Sequence, residues 1–287
     1  MNNVAIVGVG TMGSQIAAHC ALKGHRVWAV DADAAAVSRA INAVYDILDH
    51  LIQDPDTLAK VKNRIVFTNS LTVGVGVVEL VIESVPENLD FKCEIFRELD
   101  RLAPDRAILA TNSSSIMVSQ LESGLSEGRL PFLVNLHFYP EILKRSMVEI
   151  MAGSRPSAQL CERCCEFVSG LGLTPILVKR ESAGFVFNRI WQKIKAEALS
   201  ILEEGVATYQ DIDRAWMIGS GMPIGLFGLM DMVGLDVVLA IYRQVGQTPP
   251  SALLARVERG DLGMKTGRGF YTYPDPEFQH PDFRIKS

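Results

Sequence analysis

The sequence lacks any uninterrupted apolar run long enough to cross a bilayer, although 48% of its 287 residues are hydrophobic. A membrane-spanning helix needs about 20 predominantly apolar residues. No basic segment precedes the first apolar stretch, so we expect no secretory signal peptide and no membrane partner. These absences favour a cytoplasmic protein with a substantial apolar core.

Blocks of basic residues are also missing. Lysine and arginine total 28 against 33 aspartate and glutamate residues, which gives a formal net charge of -5 at pH 7. An extended DNA or RNA surface needs clustered cations, so we expect no nucleic acid partner. This balance still leaves room for a local basic pocket.

Cysteine is scarce and odd in number, with five residues. An odd count without an export signal favours reduced thiols. Cys161, Cys164 and Cys165 follow a C-x-x-C-C spacing, but the sequence has no second ligand pair at a zinc-type spacing. The stretch 157–171 is typical of an amphipathic helix, and we predict no metal site.

Short β-type runs alternate with helical stretches over the first two thirds of the chain. This alternation predicts an α/β fold with a mainly parallel, doubly wound sheet of the Rossmann type. The predicted strands are Val4–Gly8, Arg26–Asp31, Ile65–Asn69, Glu79–Val85, Ala107–Asn112, Phe132–Phe138, Met147–Met151 and Pro175–Lys179.

The pattern changes near residue 182, because only helical periodicity remains beyond it. We therefore predict an α/β domain over residues 1–182 and a smaller all-α domain over residues 183–287. The helices predicted for the second domain are approximately Phe185–Glu204, Tyr209–Ile218, Leu226–Val245 and Ser251–Arg259.

The segment VGVGTMG places Gly8, Gly10 and Gly13 in a G-x-G-x-x-G pattern directly after the first predicted strand. The pattern alone is weak, but here it opens a helix, and Asp31 ends the next strand. Gly8 permits a tight turn, Gly10 lets a pyrophosphate approach the backbone, and Gly13 lets the helix pack closely on the strand. The segment therefore predicts a dinucleotide site.

Thr11 and Met12 begin the helix that follows these glycines, where free N–H groups and the helix dipole favour phosphate. Asp31 can accept hydrogen bonds from the ribose hydroxyls and would repel a 2′-phosphate. We therefore predict NAD rather than NADP as the cofactor. A dinucleotide site does not by itself name a reaction.

Three polar clusters follow predicted strands: ATNSSSI at 110–116, NLHFYPEILKRSMVEI at 135–150 and SAGFVFNR at 182–189. Together with VGVGTMG, VIESVPENLDFK, GMPIGLFGLMDMVGLD and KTGRGFYTY, they make the chain similar to L-3-hydroxyacyl-CoA dehydrogenases, in the short 3-hydroxybutyryl-CoA dehydrogenase-like form. The resemblance covers nearly the whole chain. It is specific for the superfamily and much less specific for the substrate.

The resemblance implies that His137 is the catalytic base and that Glu149 is the acid paired with it. A histidine can take and return the proton of a secondary alcohol near neutral pH, and a carboxylate behind it fixes its tautomer. Ser114 and Asn188 match polar residues that contact the substrate and the nicotinamide region. Both could also be helix-start residues.

Three further residues match cofactor-side positions of the family. Glu87 and Lys92 lie in the EN…K segment, and Lys265 lies in the C-terminal KTG segment. The resemblance therefore implies that these three side chains contribute to the NAD site.

The sequence departs from the family pattern in two places. Family members usually read His-Phe-Phe-Asn-Pro, whereas this chain reads His137, Phe138, Tyr139, Pro140, which predicts a remodelled loop over the nicotinamide. Relatives that take coenzyme A carry serine and lysine in a helical arm, and the matching stretch 41–64 is acidic in its first half. The acidic residues of this arm either repel the phosphate of CoA or belong to a helix face that is simply exposed to solvent.

Lys144 and Arg145 follow closely after His137. They are candidate substrate-binding residues that could clamp a carboxylate or the phosphate of a phosphopantetheine arm, or they are solvated charge. The acyl carrier therefore stays open between CoA, an acyl carrier protein (with a glyceryl unit for extender-unit biosynthesis as one example) and none, as in a free hydroxy acid.

The sequence as a whole predicts an NAD-dependent oxidoreductase that interconverts a 3-hydroxyacyl thioester and its 3-oxoacyl form. A catalytically silent NAD-binding relative is the competing hypothesis, and the presence of both His137 and Glu149 argues against it. The resemblance also implies a homodimer built by the helical domain, for which the apolar stretch 225–242 is the supporting feature.

Overall fold

The computed structural model describes residues 1–244 and 246–285, apart from the side chain of Gln244. The chain divides into two compact units, Met1–Val186 and Phe187–Ser287. The first unit thus ends at Val186, where the sequence predicted an end at residue 182.

The N-terminal unit is an α/β domain built on one eight-stranded sheet, and each predicted strand is present within two residues of its predicted bounds. The strands are β1 (Asn3–Val7), β2 (Arg26–Val30), β3 (Ile65–Thr68), β4 (Leu80–Glu83), β5 (Ile108–Thr111), β6 (Leu133–Phe138), β7 (Met147–Ala152) and β8 (Thr174–Val178). The helices are α1 (Thr11–Leu22), α2 (Ala34–Leu51), α3 (Pro55–Lys62), α4 (Leu71–Val75), α5 (Leu89–Leu102), α6 (Val118–Leu121) and α7 (Leu160–Gly170).

The strand order is β3-β2-β1-β4-β5-β6-β7-β8. Neighbouring strands run parallel except β6 and β7, which pair antiparallel. Because β1 pairs with β2 on one side and β4 on the other, the chain reverses its direction of winding there. Ligands of doubly wound sheets bind at the carboxyl ends of strands at such a switch point.

Side chains of β1 alternate between two cores, one on each face of the sheet. Val4 and Ile6 pack into the core formed with α1, α2, α3 and α7, and Ala5 and Val7 pack into the core formed with α4, α5 and α6. Strands covered on both faces are apolar throughout. This explains why the central strands appear in the sequence as continuous apolar runs.

The C-terminal unit is helical, with a separate core of its own. The predicted single helix Leu226–Val245 is wrong, because Gly234 adopts a φ of 99° and divides it into two helices. Its predicted last residue, Val245, lies outside the described residues. The helices are α8 (Phe187–Glu203), α9 (Tyr209–Ser220), α10 (Leu226–Val233), α11 (Leu235–Gln244) and α12 (Ser251–Glu258).

Two buried aspartates join distant motifs inside this unit. Asp213 accepts hydrogen bonds from the N–H of Phe227 in α10 (2.9 Å) and from the hydroxyl of Tyr271 (2.9 Å). Asp231 accepts from the N–H groups of Phe270 (2.9 Å) and Tyr271 (2.8 Å). Burial raises the pKa of Asp213 to about 6, although the hydrogen bonds from Phe227 and Tyr271 oppose the rise. The GLFGLMD and GFYTY motifs are therefore structural supports for each other.

The apolar stretch 225–242 forms much of the core of this unit. The large apolar residues of this stretch are mostly buried within the unit. Less apolar surface is therefore available to a second subunit than the sequence suggests. The buried ones are Leu226, Phe227, Met230, Leu235, Val238, Leu239 and Tyr242.

Lys195 of α8 is fully buried in this unit. Its Nζ has no hydrogen-bond partner within residues 1–244 and 246–285, and it lies 5.4 Å from the centroid of the Tyr242 ring. Burial lowers the pKa of Lys195 to about 8. A buried ammonium without a carboxylate partner costs stability, because an apolar environment disfavours the charged form.

We expect Lys195→Met to raise the free energy of unfolding at pH 7 by about 2 kcal/mol, since it removes this desolvation cost. The folded-state pKa is depressed from 10.5 to about 8, so the penalty is complete below pH 8 and fades as the pH rises towards 10.5. Denaturant unfolding at pH 7 and pH 10 measures both effects.

The matched control for this substitution is Lys193→Met on the exposed side of the same helix. It should change stability by less than about 0.5 kcal/mol at either pH. A Lys195→Met protein no more stable than the natural one at pH 7 would contradict the desolvation argument.

Candidate active site

The glycine loop is packed where it meets the sheet and open at its tip. Gly8 has a φ of 89°, and a Cβ there would lie 2.7 Å from the backbone of Ser84 and Val85. A Cβ on Gly13 would overlap the carbonyl oxygen of Gly8, whereas a Cβ on Gly10 would meet nothing within 4 Å. Gly8 and Gly13 are therefore closely packed, whereas the space beside Gly10 is open, and its contact with a pyrophosphate stays a prediction.

The start of α1 and the end of β2 complete this loop. Thr11 and Met12 are the first two residues of α1, and no side chain caps the helix at Gly10. The first N–H groups of a helix lack intrahelical partners and can bind an anion. Asp31 accepts a hydrogen bond from the N–H of Val9 (3.2 Å), which holds its carboxylate beside the glycine loop. The open glycine loop and the uncapped start of α1 fit the pyrophosphate of NAD, and the Asp31 carboxylate fits its adenosine ribose.

A buried ion pair lies at the carboxyl end of β4. The Nζ of Lys92 donates to Oε1 of Glu83 at 2.6 Å and to the carbonyl of Val85 at 3.1 Å. Both side chains are 1% exposed or less. Thr111 donates to the other Glu83 oxygen at 2.8 Å. Burial raises the pKa of Glu83, and the Lys92 cation opposes that rise.

The Glu87 carboxylate lies 3.5 Å from the Nζ of Lys92 and accepts hydrogen bonds from serines of the ATNSSSI segment. The hydroxyl of Ser113 donates to Oε1 of Glu87, and the Ser115 hydroxyl donates to the same oxygen at 2.7 Å. Burial acts to raise the pKa of Glu87, but these donors and Lys92 outweigh it and hold the pKa below its usual range. The carboxylate is thus kept ionised. The sequence did not single out Ser113 and Ser115, although their adjacency to Ser114 was a signal.

Ser114 differs from its neighbours because its side chain is exposed and has no hydrogen-bond partner in the described part of the chain. Ser114 does not take the helix-capping role that the sequence offered, because the N-cap residue of α6 is Met117. The hydroxyl of Ser113 accepts from the N–H of Ile116 at 2.8 Å, in the turn that precedes α6. Ser114 therefore presents a hydroxyl that the fold itself does not use.

His137 and Glu149 are register partners on the antiparallel strands β6 and β7. His137 Nδ1 lies 3.2 Å from Glu149 Oε2, and the two side chains are 5% and 1% exposed. Directly opposed residues of an antiparallel pair bring their side chains within contact distance. The reversal of β7 therefore turns a separation of twelve residues into a side-chain pair.

Two aromatic residues surround this pair. Phe185 stacks on the His137 ring with centroids 4.6 Å apart and planes 20° apart, and Tyr139 contacts the same ring at 4.5 Å. The N–H of Val186 donates to Glu149 Oε1 at 2.9 Å. Phe185 adopts a φ of 54°, an uncommon value for a bulky residue, which places its ring on the histidine. The sequence did not predict either aromatic contact.

The loop after β6 is tied to α1 and to itself. Glu141, with a φ of 59°, donates its N–H to the side-chain oxygen of Gln15 at 3.0 Å. Lys144 is exposed and forms an ion pair with Glu141 at 2.8 Å. Arg145 is half-buried beside Tyr139. Lys144 is thus paired with a residue of its own loop. The role of Lys144 and Arg145 in substrate binding stays a prediction.

The remaining predicted residues lie in the C-terminal unit. Asn188 is the second residue of α8 and is half-buried. Lys265 donates to both carboxylate oxygens of Asp236 at 2.6 Å. Their roles toward the substrate and the cofactor stay predictions.

The three clustered cysteines lie on α7, as the amphipathic pattern predicted. In residues 1–244 and 246–285, no group of three histidine, cysteine, aspartate or glutamate side chains is arranged to hold a metal ion. None of the helices in this described part combines the length and apolar character that crossing a bilayer requires.

The doubly wound domain, its glycine loop and the helical second domain define a two-domain oxidoreductase that uses NAD and acts on a CH–OH group. The NAD-binding domain of 3-hydroxyacyl-CoA dehydrogenase matches residues 3–182, and the C-terminal domain of the same enzymes matches residues 184–273. The chain belongs to the 3-hydroxyacyl-CoA dehydrogenase family. The predicted family, fold class and cofactor are thereby confirmed.

Relatives with enzyme names are similar to this chain over nearly its whole length. A 3-hydroxybutyryl-CoA dehydrogenase of Clostridioides difficile is 33% identical over 280 residues, which cover 94% of this chain and 99% of that protein. The crystal structure of an (S)-3-hydroxybutyryl-CoA dehydrogenase from Ralstonia eutropha matches with a TM-score of 0.87 and 34% identity, over 96% of this chain and 100% of that one.

A third relative has a different substrate. The 5-formyl-3-hydroxy-2-methylpyridine 4-carboxylate 5-dehydrogenase of Mesorhizobium japonicum is 31% identical over 292 residues, covering 95% of this chain and 91% of that protein. Similarity at this level therefore includes both a CoA thioester and a free carboxylate among the relatives' substrates.

We expect Lys92→Met to lower the free energy of unfolding by about 3–5 kcal/mol, because it leaves the Glu83 carboxylate buried without its cation. Denaturant unfolding followed by circular dichroism measures the loss. The double variant Glu83→Gln with Lys92→Met should lose less, since it buries no unpaired charge. Equal losses in the single and double variants would show that the ion pair is not the cause.

Proposed function

We propose that the protein interconverts a 3-hydroxyacyl thioester and its 3-oxoacyl form, with His137 as general base and Glu149 as its partner. The observation that carries this proposal is the buried His137–Glu149 pair across β6 and β7. A base that must take and return one proton needs a fixed tautomer, and this pair supplies it.

The contact between His137 Nδ1 and the Glu149 carboxylate indicates which ring nitrogen carries the proton, because a carboxylate oxygen accepts a hydrogen bond. A neutral His137 that donates Nδ1–H to Glu149 has its lone pair on Nε2, which is then the atom that removes the hydroxyl proton. Glu149 stabilises the imidazolium that forms. NAD, when bound, supplies the hydride acceptor. In the reverse direction His137 returns the proton to the substrate oxygen.

The remaining predicted site residues take supporting roles in this proposal. The exposed Ser114 hydroxyl and the Asn188 amide would steady the reacting oxygen. Asp31 would hold the adenosine ribose, and the loop of Gly8, Gly10 and Gly13 with Thr11 and Met12 would hold the pyrophosphate. Glu87 and Lys265 would contribute to the cofactor site, and the buried Lys92 would act through the position of Glu87.

CoA is the acyl carrier that we propose first, because two relatives similar over nearly the whole chain are named for CoA thioesters. Two observations keep a carrier-protein thioester or a free hydroxy acid as the second candidate. The arm formed by α2 and α3 is acidic, and its Lys62 is engaged by Asp49 at 2.6 Å. The Mesorhizobium japonicum relative is named for a pyridine carboxylate. Lys144 and Arg145 are the cations that would meet such an anion.

We also propose a homodimer formed through the C-terminal unit, and a cytoplasmic location. The unit has an apolar groove of about 680 Å³ that includes Ile194, Ile201 and Trp216. Ile190 and Ile218 are more than half exposed. Apolar surface of this kind favours association. Light scattering after size-exclusion chromatography should give about twice the chain mass of 31.5 kDa, and a mass of one chain would contradict the dimer.

The activity is tested by NADH absorbance with three substrate classes at matched concentrations: 3-hydroxybutyryl-CoA, a 3-hydroxyacyl carrier-protein thioester and free 3-hydroxybutyrate. We expect the highest kcat/KM with a thioester. His137→Gln should lower kcat by about 10²–10⁴-fold, the usual contribution of a general base, because glutamine cannot take the proton.

The matched control is His280→Gln, which replaces an exposed histidine outside the proposed site and should leave activity unchanged. NAD binding by the His137→Gln protein, followed by fluorescence, shows whether the cofactor site is intact. Full activity of His137→Gln would overturn the assigned base, and no turnover with any of the three classes would favour a catalytically silent protein.

A further inference from the structure

Tyr139 stands where the resemblance led us to expect the second phenylalanine of a His-Phe-Phe-Asn-Pro motif. The residue is 5% exposed, and its ring lies against the His137 imidazole. Its hydroxyl donates a hydrogen bond of 2.7 Å to Oε2 of Glu149. The departure from the motif therefore adds a polar contact to the catalytic pair.

The tyrosine and the histidine share one carboxylate oxygen. His137 Nδ1 lies 3.2 Å from the Oε2 atom that accepts the Tyr139 hydroxyl at 2.7 Å. An O–H···O⁻ bond of this length is among the strong charge-assisted hydrogen bonds, whereas a strong N–H bond to a carboxylate is about 2.7–2.9 Å long. Tyr139 is thus the closer donor, and it draws on the charge that would otherwise stabilise a protonated His137.

The surroundings keep Tyr139 in its donor form. Burial raises the pKa of Tyr139, the hydrogen bond and charge of Glu149 raise it further, and Arg145 opposes the rise. Charged groups of the described residues that face this hydroxyl include Glu149 on β7 and Arg145 in the loop after β6, and His137 lies beside it. Phe185 covers the histidine ring with an apolar face. A protonated phenol can position the carboxylate but cannot act as a base.

We propose that Tyr139 is a positioning residue that acts through Glu149 and competes with His137 for the charge of that carboxylate. Its hydroxyl fixes the carboxylate rotamer together with the Val186 N–H, and it withdraws charge from the oxygen that faces His137. The enzyme would then keep a neutral base at lower pH than a phenylalanine variant. This inference rests on the proposed function for its catalytic meaning.

The decisive substitution is Tyr139→Phe, which removes the hydroxyl and keeps the ring. Without the competing donor, Glu149 should stabilise the imidazolium more strongly. We expect the acid limb of kcat/KM in the oxidation direction to move to higher pH by about 0.5–1 unit, since one unit corresponds to 1.36 kcal/mol of differential interaction. The KM for NAD should not change.

A titration without turnover separates this inference from the proposed function. Proteins labelled with 13C-histidine report the protonation of His137 by NMR, and His137→Gln assigns the signal. The Tyr139→Phe protein should titrate at higher pH than the natural one. In a Glu149→Gln background the same substitution should shift the midpoint by less than about 0.2 units, because no charged carboxylate is left to share.

A second variant covers the case in which Tyr139→Phe does not fold. Incorporation of 3-fluorotyrosine at position 139 keeps the side-chain shape nearly unchanged and makes the phenol a stronger donor. It should move the His137 midpoint to lower pH, opposite to Tyr139→Phe. The control is Tyr242→Phe, which removes a buried hydroxyl in the C-terminal unit and should leave the midpoint where it is.

Superimposable His137 titrations in the natural, Tyr139→Phe and fluorotyrosine proteins would overturn the role of Tyr139. Equal shifts in the presence and absence of the Glu149 carboxylate would also overturn it, because the effect would not pass through Glu149. An absence of dehydrogenase activity in the natural protein would contradict the proposed function alone, and the NMR comparison would still decide the role of Tyr139.

Discussion

The burial of the Glu149 carboxylate is the constraint on which the candidate site depends. A carboxylate that is 1% exposed is tolerated when protein donors replace its water. Here His137, Tyr139 and the backbone of Val186 supply such donors from three different segments. Satisfying this one group therefore positions the base, the loop after β6 and the chain that leads to the helical unit.

The same physical solution recurs elsewhere in the molecule. Glu83 is held by Lys92 and Thr111 at the end of β4, and Asp213 and Asp231 tie the motifs of the C-terminal unit together. Several sequence motifs that carry the family resemblance thus owe their residue types to the satisfaction of buried carboxylates. Motifs shared by a family identify its fold as strongly as they identify its chemistry.

The strand–helix alternation and the glycine loop were predictable because they follow from local rules. Apolar runs are typical of strands that are buried on both faces, and Gly8 and Gly13 lie where the backbone leaves no room for a Cβ. The single helix predicted over 226–245 was wrong, because helical periodicity continues across Gly234 while its positive φ ends one helix and starts another. Periodicity records which residues are buried and does not record a change of helix axis.

The sequence by itself determined the class of fold and the dinucleotide fingerprint, and its resemblance to the family named the candidate base and acid. The tertiary structure decided that β7 runs antiparallel to β6, which places Glu149 opposite His137. It also decided that Tyr139 shares that carboxylate and that Ser113, not Ser114, is used by the fold. These outcomes depend on which atoms meet across strands and loops, and the order of residues along a chain does not encode such distances in any local pattern.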